Sequence, residues 1–315
     1  MTNDSFRANI VGNSPELISV INAARLVSRT DVNVLIKGEC GTGKELLANA
    51  IHQTSSRATK PFVVVNCASI PGNHAESALF GYRENGHLHS GSLGKAHHGS
   101  LVLDEVSEMP ANLQAKMLRF LESGEFQAVG SGQSTRVDVR ILATTHKDLY
   151  KLASQGVFRE DLYFRLNVVP LTLPALQDRG SDIELITRYY LNTFSSQYGL
   201  LKPSLSNRAL KALIKYRWPG NIRELRNLCE RLVILQQGKE ITLQHLPAEI
   251  TAVPQPDQQC HFSLPDCGIK WFDLEKRIIR QALEKANGNR SRAARLVGLS
   301  RDTFLYRMKK HTIEA

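Results

Sequence analysis

VNVLIKGECGTGKELLANAIHQTS, residues 32 to 55, joins a β-branched apolar run to a glycine-rich turn and then to a stretch with helical spacing. Between the two, Gly38, Glu39, Cys40, Gly41, Thr42, Gly43 and Lys44 satisfy G-x-x-x-x-G-K. In such a loop the glycines let backbone N–H groups face phosphate oxygens. The helix N-terminus adds a favourable field, and the lysine reaches the β and γ phosphates. Glu45 stands where the bare pattern asks for Ser or Thr. The order of strand, loop and helix therefore carries the assignment of a nucleotide site, against the alternative of an ordinary glycine-rich turn.

Outward from this stretch, PFVVVNC (61 to 67), SLVLDEV (100 to 106) and VDVRILATT (137 to 145) are further apolar runs of strand length, with helical spacing between them. Such runs imply a parallel sheet covered by helices on both faces. SLVLDEV ends near Asp104 and Glu105, about sixty residues after the loop. There Asp104 is placed to hold Mg²⁺, directly or through water, and Glu105 to polarise an attacking water. Alone, the run would read as a strand end. FREDLYFRL (158 to 166) carries Arg159 and Arg165. These can stabilise charge on a transferring phosphate when a neighbouring subunit presents them; without that context they read as surface ion-pair partners. From about Leu176 the strands stop, and helical segments continue through Leu235.

The chain has 315 residues, 42% of them apolar, enough for two or three domains with real cores. Its apolar runs, such as FVVV at 62 to 65, fall far short of the roughly 20 residues that span a bilayer, and MTNDSFRANI has no apolar signal region. The expectation is a cytoplasmic protein without a membrane partner. Cys40, Cys67, Cys229, Cys260 and Cys267 form no C-x-x-C pair, so neither a disulfide framework nor a zinc knuckle is indicated. The net charge of +10 is uneven, because residues 270 to 315 hold twelve Lys and Arg against five Asp and Glu. A basic C-terminal segment points to a polyanion, most often nucleic acid, with a solvated helical tail as the bland alternative.

TAVPQPDQQCHFSLPDCG (251 to 268), rich in Pro and Gln, reads as a linker. Beyond it, apolar residues at 272, 274, 278, 279, 282 and 283 form one helical stripe. Ser291 to Val297 and Ser300 to Lys310 make two short helices around Gly298 and Leu299. Ala293, Ala294, Val297, Phe304, Leu305 and Met308 supply a small core, and Ser300 can cap the last helix. This is a helix-turn-helix layout with the last helix as reader of the major groove. Arg301, Thr303, Tyr306, Arg307 and Lys310 are the candidates for contact with double-stranded DNA, mostly at phosphates.

Together these segments resemble the AAA+ bacterial enhancer-binding proteins that remodel sigma-54 RNA polymerase, from about Ile10 to the C-terminus. GECGTGKE is similar to that family's Walker A motif, in which a final Glu is usual, and LVLDEV to its Walker B motif. The resemblance implies hydrolysis of ATP with Mg²⁺. It makes Asn66 of VVNCASI the residue that holds the catalytic Glu until the γ-phosphate is sensed, and puts Thr145 and His146 of ATTHKDL at sensor I. Arg159 and Arg165 become arginine fingers, and Arg223 of WPGNIRELRN (218 to 227) approaches the phosphates from a helical lid. The implied fold is an α/β AAA+ core with a parallel sheet over 1–174, a small all-α lid over 175–250, the linker 251–268 and a Fis-type helix-turn-helix domain over 269–315. Fis-type domains dimerise on two-fold sites, here expected upstream of promoters. The implied assembly is a homo-oligomer, commonly a hexameric ring, in which Lys44, Asp104 and Glu105 of one subunit face Arg159 and Arg165 of the next.

Only about nine residues precede the ATPase segment, so the expectation is that no sensory domain stands there and that control comes in trans, through expression or through the ATPase. LFG (79 to 81) is followed by YRENGHLHSGSLGKAHHG instead of the hexapeptide GAFTGA, the family's polymerase-touching loop tip. His87, His89, His97 and His98 in that segment leave a metal site open. A subset of the family without the hexapeptide acts at sigma-70 promoters. The leading reading is an ATP-dependent regulator of sigma-54 polymerase; the alternative is a sigma-70 regulator or repressor that uses ATP mainly for assembly. A remodeller of another substrate is a third reading, disfavoured by the basic tail.

Overall fold

Four of the apolar runs become strands of one sheet, and a fifth strand joins them at an edge. The structure, a computed structural model, describes Phe6, residues 10–70, 74–84, 87–251, 270–286, 288–311 and Ile313. The chain divides into two compact units, Met1–Val253 and Pro254–Ala315. Most of the expected linker lies outside the described residues.

The first unit begins α1 (Pro15–Ser28), β1 (Val34–Lys37), α2 (Lys44–Gln53), β2 (Phe62–Asn66), α3 (Ala75–Phe80), β3 (Tyr82–Glu84), β4 (His87–His89), α4 (Ser92–Lys95) and β5 (Ser100–Asp104). It continues α5 (Ala111–Ser123), β6 (Glu125–Gln127), β7 (Ser134–Arg136), β8 (Arg140–Thr145), α6 (Leu149–Ser154), α7 (Glu160–Leu166) and β9 (Val169–Thr172). The sheet order is β2-β5-β8-β1-β9, parallel throughout. Strand side chains alternate between two cores. Leu35, Leu101, Leu103, Ile141 and Ala143 enter one, with Leu113, Met117 and Leu162 from the helices. Val34, Ile36, Val102 and Leu142 enter the other, with Leu17 and Ile21 of α1 and Leu47 and Ile51 of α2. Burial on both faces is why these runs are apolar throughout. β9, which carries Pro170, is not among the strand runs read from the sequence. β9 sits at the edge and pairs with β1, so Pro170 has no second neighbour to which it must donate.

The loop 38–44 and the segments after Asp104 and Thr145 all leave the sheet at the carboxyl ends of adjacent strands, where open parallel sheets gather their ligands. After β9 come α8 (Gly180–Tyr198), β10 (Ser204–Leu205), α9 (Asn207–Lys215), α10 (Asn221–Leu235), β11 (Glu240–Ile241) and α11 (Ala248–Thr251). They bury a separate core that includes Ile183, Trp218, Leu225 and Leu232. This lid is helical as expected, with the addition of the two-residue parallel pair of β10 and β11. Ser206 caps α9 by accepting from the Ala209 N–H at 3.2 Å. Among the described residues no helix is long and apolar enough to cross a membrane.

The second unit holds α12 (Trp271–Lys285), α13 (Arg290–Leu296) and α14 (Arg301–Lys310). Ala293, Ala294, Phe304 and Met308 pack on Ile279, Ala282 and Leu283. Asn289 caps α13 through the Arg292 N–H at 3.1 Å, and Ser300 caps α14 through the Thr303 N–H at 3.2 Å.

Candidate nucleotide site and DNA-binding helix

The loop after β1 is held by its own polar groups. Thr42 Oγ1 donates to the Glu39 carbonyl at 2.8 Å, and Lys44 Nζ donates to the carbonyls of Gly38 at 3.0 Å and Glu39 at 3.3 Å. Gly41 has φ +80°, and a Cβ there would stand 2.3 Å from the Gly220 carbonyl oxygen, so only glycine fits. Gly43 precedes α2, whose unpaired first-turn N–H groups make that end favourable to anions. Lys44 is buried, and its Nζ lies 3.2 Å from Glu105 Oε1.

The two adjacent carboxylates have different surroundings. Asp104 Oδ1 accepts the Thr144 hydroxyl at 2.6 Å, and Oδ2 accepts the Asn66 amide at 2.8 Å. Glu105 has φ +52° and ψ +53°, a left-handed backbone that costs a non-glycine residue energy and turns its side chain to other partners. Its Oε1 faces Lys44, while Oε2 accepts the His146 N–H at 3.2 Å and lies 2.6 Å from His146 Nδ1. Burial pushes the Glu105 carboxyl up, but the hydrogen bonds and charges of His146 and Lys44 outweigh it and hold the group below the ordinary carboxylate value. Glu105 is therefore an ionised acceptor at neutral pH. Burial, reinforced by Asp104 and Glu105, pushes the neighbouring Cys67 thiol up to about 12, which makes it inert.

Two expected placements change. Asn66 engages Asp104 and not Glu105, because β2 and β5 pair with Asn66 opposite Asp104. Thr145 turns away as well: its Oγ1 accepts the Lys147 N–H at 3.0 Å in the turn after β8. The hydroxyl in the site is that of Thr144, which also accepts the Glu105 N–H at 3.1 Å. Alternation along β8 puts neighbouring threonines on opposite faces, and nothing local to ATT says which one faces the loop. His146 stands beside Glu105, to which it is bonded through its backbone N–H and its ring.

Arg223 lines a cleft of about 420 Å³ with Cys40, Gly41, Lys44, Glu45, Asp104 and Glu105. Asn221, which the sequence reading passed over, is buried and joins lid to loop. Its Nδ2 donates to Glu39 Oε2 at 2.9 Å and to the Cys40 carbonyl at 3.1 Å, while its Oδ1 accepts the Leu176 N–H at 2.7 Å. The Ile222 N–H donates to the Gly41 carbonyl at 3.0 Å. Pro-Gly-Asn in WPGN signals the turn, but only the tertiary fold names what the turn holds. Beside the loop lies a mostly apolar cavity of about 220 Å³, lined by residues that include Ile10, Val11, Leu46, Leu173, Tyr189 and Tyr190. A buried pair, Arg179 and Asp182 at 3.0 Å, fixes the chain at one side of it by holding the Val11 carbonyl at 2.9 Å and the Asn13 N–H at 2.6 Å.

Arg159 pairs with Asp161 at 2.7 Å and Arg165 approaches Glu122 at 3.8 Å, both on open surface. Their charged partners are thus outside the cleft. In the histidine-rich segment, β3 and β4 form a hairpin on which His89 stacks against Tyr82 at 4.5 Å. His97 Nδ1 instead accepts the Asp138 N–H at 3.1 Å, and His98 lies 3.6 Å from Asp138. Among the described residues His87, His89, His97 and His98 do not converge on a metal position.

On α14, Arg301, Thr303, Tyr306 and Lys310 are exposed, as is Lys309, which the sequence reading passed over. Arg307 is a correction, because its guanidinium turns to the buried Glu275 of α12, which also meets His311 at 2.9 Å. The His311 hydrogen bond, with Arg307 adding to it, overcomes burial and holds Glu275 below the ordinary carboxylate value. Arg307 is therefore first a structural partner within the unit.

Residues 10–172 match the sigma-54 interaction domain, 177–261 the AAA+ ATPase lid domain and 273–311 the Fis family of bacterial regulatory proteins. The chain is 39% identical over 321 residues to regulatory protein AtoC of Escherichia coli strain K12, covering 97% of this chain and 68% of that one. It is 36% identical over 339 residues to the DNA-binding transcriptional regulator NtrC of Proteus hauseri, covering 98% of this chain and 70% of the relative. The crystal structure of NtrX from Brucella abortus in complex with ADP is similar at TM-score 0.73 and 36% identity, covering 96% of this chain and 68% of that one. Sheet, loop, lid and C-terminal helices agree with these likenesses, and the chain belongs to the sigma-54 interaction domain family of AAA+ ATPases, as an ATP-hydrolysing, DNA-binding transcription regulator of the enhancer-binding type.

Proposed function

We propose that the chain hydrolyses ATP between the subunits of a ring, commonly a hexamer, and uses the hydrolysis to remodel RNA polymerase at promoters. The observation that carries this is the contact of Lys44 with Glu105 at 3.2 Å beside the bonded Asp104. Gly38 to Glu45 receive the phosphates, the apolar cavity takes the base, and Arg223 closes from the lid. When phosphate oxygens draw Lys44 away, Glu105 keeps His146 and frees Oε1 to take the proton of an attacking water. Asp104, held by Thr144 and Asn66, offers hard oxygen donors that fit Mg²⁺, and the bound ion would neutralise charge on the phosphates. Asn66 acts on Glu105 through Asp104, and Thr145 supports the turn that presents His146. Arg159 and Arg165, exposed and only surface-paired, serve the neighbouring subunit's phosphate.

The domain limits that go with this function are a core to about 174, a lid to about 250, a linker to about 268 and a Fis-type domain beyond. That domain binds two-fold sites in upstream promoter DNA through Arg301, Thr303, Tyr306 and Lys310, in the cytoplasm. The hairpin of β3 and β4, with HLH where the family's loop tip is GAFTGA, favours a second reading in which the polymerase partner carries sigma-70 and ATP serves mainly assembly.

The test is an open-complex assay with reconstituted polymerase on supercoiled promoter DNA and hydrolysable ATP. Open complexes with sigma-54 polymerase support remodelling; none, alongside measurable hydrolysis, supports the second reading. Arg165→Ala is expected to abolish turnover and leave nucleotide binding, and full turnover in that variant removes the finger assignment.

A further inference from the structure

The phosphate reading employs Glu105 and His146 but gives the Cys40 thiol no task. Cys40 is exposed, unlike Cys67 and Cys229, which are buried. Its Sγ, a Glu105 carboxylate oxygen and a His146 ring nitrogen all lie within 4.8 Å of one another. Among the described residues this is the one such grouping of three donors. The donors come from the ends of β1, β5 and β8, which are neighbours in the sheet, so the fold itself brings them together. The group is already ordered: His146 is bonded to Glu105 through both its backbone N–H and its ring, and Lys44 steadies the other carboxylate oxygen.

The chemistry of this donor set differs from that of the Asp104 position next to it. Asp104, with its hydroxyl and amide neighbours, suits a hard cation bound through oxygen. A thiolate, an imidazole and a carboxylate with one side open to the cleft suit a softer divalent cation in tetrahedral coordination. Thiolate and carboxylate together offset the Lys44 ammonium nearby. The thiol proton passes to solvent as the metal binds.

We propose that Cys40, Glu105 and His146 form a site for a thiophilic divalent cation of the zinc class, and that its occupation arrests ATP turnover by withdrawing Glu105 from the attacking water. The metal site stands on the donor geometry alone; the arrest rests on the assignment of this cleft to ATP.

Cobalt(II) is the probe, added to the full chain carrying Cys260→Ser and Cys267→Ser, two positions outside the described residues. Thiolate-to-cobalt charge-transfer absorption is expected. Cys40→Ser removes it, and His146→Ala weakens cobalt binding by at least about tenfold, the scale of disrupted metal shells. Circular dichroism confirms that each variant stays folded. No absorption, or absorption that survives in Cys40→Ser, overturns the site. For the arrest, free zinc is clamped by a chelating buffer while phosphate release is followed. Turnover is expected to fall with zinc and recover on chelation, with a midpoint at least about tenfold higher in Cys40→Ser. Equal midpoints overturn the arrest. The cobalt spectrum needs no turnover, so failure of the ATPase assignment and failure of the metal site are read separately.

Discussion

At the carboxyl edge of the sheet the working side chains are bonded to one another. On α14 Arg301, Tyr306 and Lys310 stand exposed to solvent, and Thr303 is held at the helix cap. Lys44, Asn66, Asp104, Glu105, Thr144 and His146 come from four strand ends and form a single network. Arg301, Tyr306 and Lys310 come from ten residues of one helix. A bonded network fails as a unit when one member is removed, whereas separate surface charges fail by small and nearly additive steps.

Glu105→Gln tests the network most severely. It keeps the shape but removes the ionised acceptor, and phosphate release is expected to fall by about 10³-fold, within the range for a lost general base. Nucleotide affinity, followed by fluorescence titration, changes far less. Turnover within tenfold of the parent would dissolve the network account. The pH profile gives the sign independently. Because the folded-state value of Glu105 is depressed, its ionised form persists below the ordinary glutamate value of about 4.3 and is lost only as pH falls through the lower one. His146→Ala removes the foremost group holding that value down, so the acid limb of turnover is expected to move up in pH. An unmoved limb would free His146 from this task.

Thr144→Val and Thr145→Val differ by one position and separate the two faces of β8. Loss of the Thr144 hydroxyl leaves one Asp104 oxygen and the Glu105 N–H without a partner, at about 1.4 kcal/mol or a tenfold loss of turnover. Thr145→Val loosens the turn before Lys147 and is expected to lower melting temperature rather than turnover per folded molecule. The reverse result would return the sensor role to Thr145.

The same contrast governs what could be read without coordinates. Gly38 to Lys44, Asp104 and Glu105 were legible because a phosphate loop and a strand-terminal acid pair write their chemistry into contiguous residues. The three-helix C-terminal unit was legible for a similar reason, since its stripe, caps and core are local. Asn66, Thr144 and Asn221 act across strand register or between lid and loop, at sequence separations of 38, 40 and 182 residues. No spacing rule announces such contacts. β9 was not read from the sequence; it carries Pro170, whose cost vanishes at a sheet edge. Arg307 looked like its neighbours on α14, and only the packing of α12 reveals Glu275 beneath it.

That buried partner lets Arg307 act as a control inside the second region. Glu275→Gln removes a carboxylate shared by Arg307 and His311 and is expected to lower the melting temperature of the C-terminal unit by about 5 °C. Since the Glu275 value is depressed on folding, the stability it adds is complete above its ordinary value of about 4.3 and fades as pH falls below it. The gap in melting temperature between parent and variant should therefore close on acidification. A gap that stays constant across that range would mean that the carboxylate's charge is not what holds the helices.

Arg301→Ala, with the least effect on any single measurement, bears most directly on how α14 differs from the sheet edge. Arg301 lies at the first turn of α14 and is exposed, so its removal should leave the melting temperature unchanged. If it neutralises one phosphate, the slope of log affinity against log salt becomes shallower by about 0.9, and affinity falls alike on specific and unrelated DNA. If it reads a base edge, the loss is about 1–3 kcal/mol on the specific site alone. Arg307→Ala should instead reduce binding together with stability, and its DNA affinity should recover where the folded fraction is restored by lower temperature. An Arg301 variant that loses binding only through unfolding would place both arginines in the architecture, and would leave Tyr306, Lys309 and Lys310 as the exposed face available to DNA.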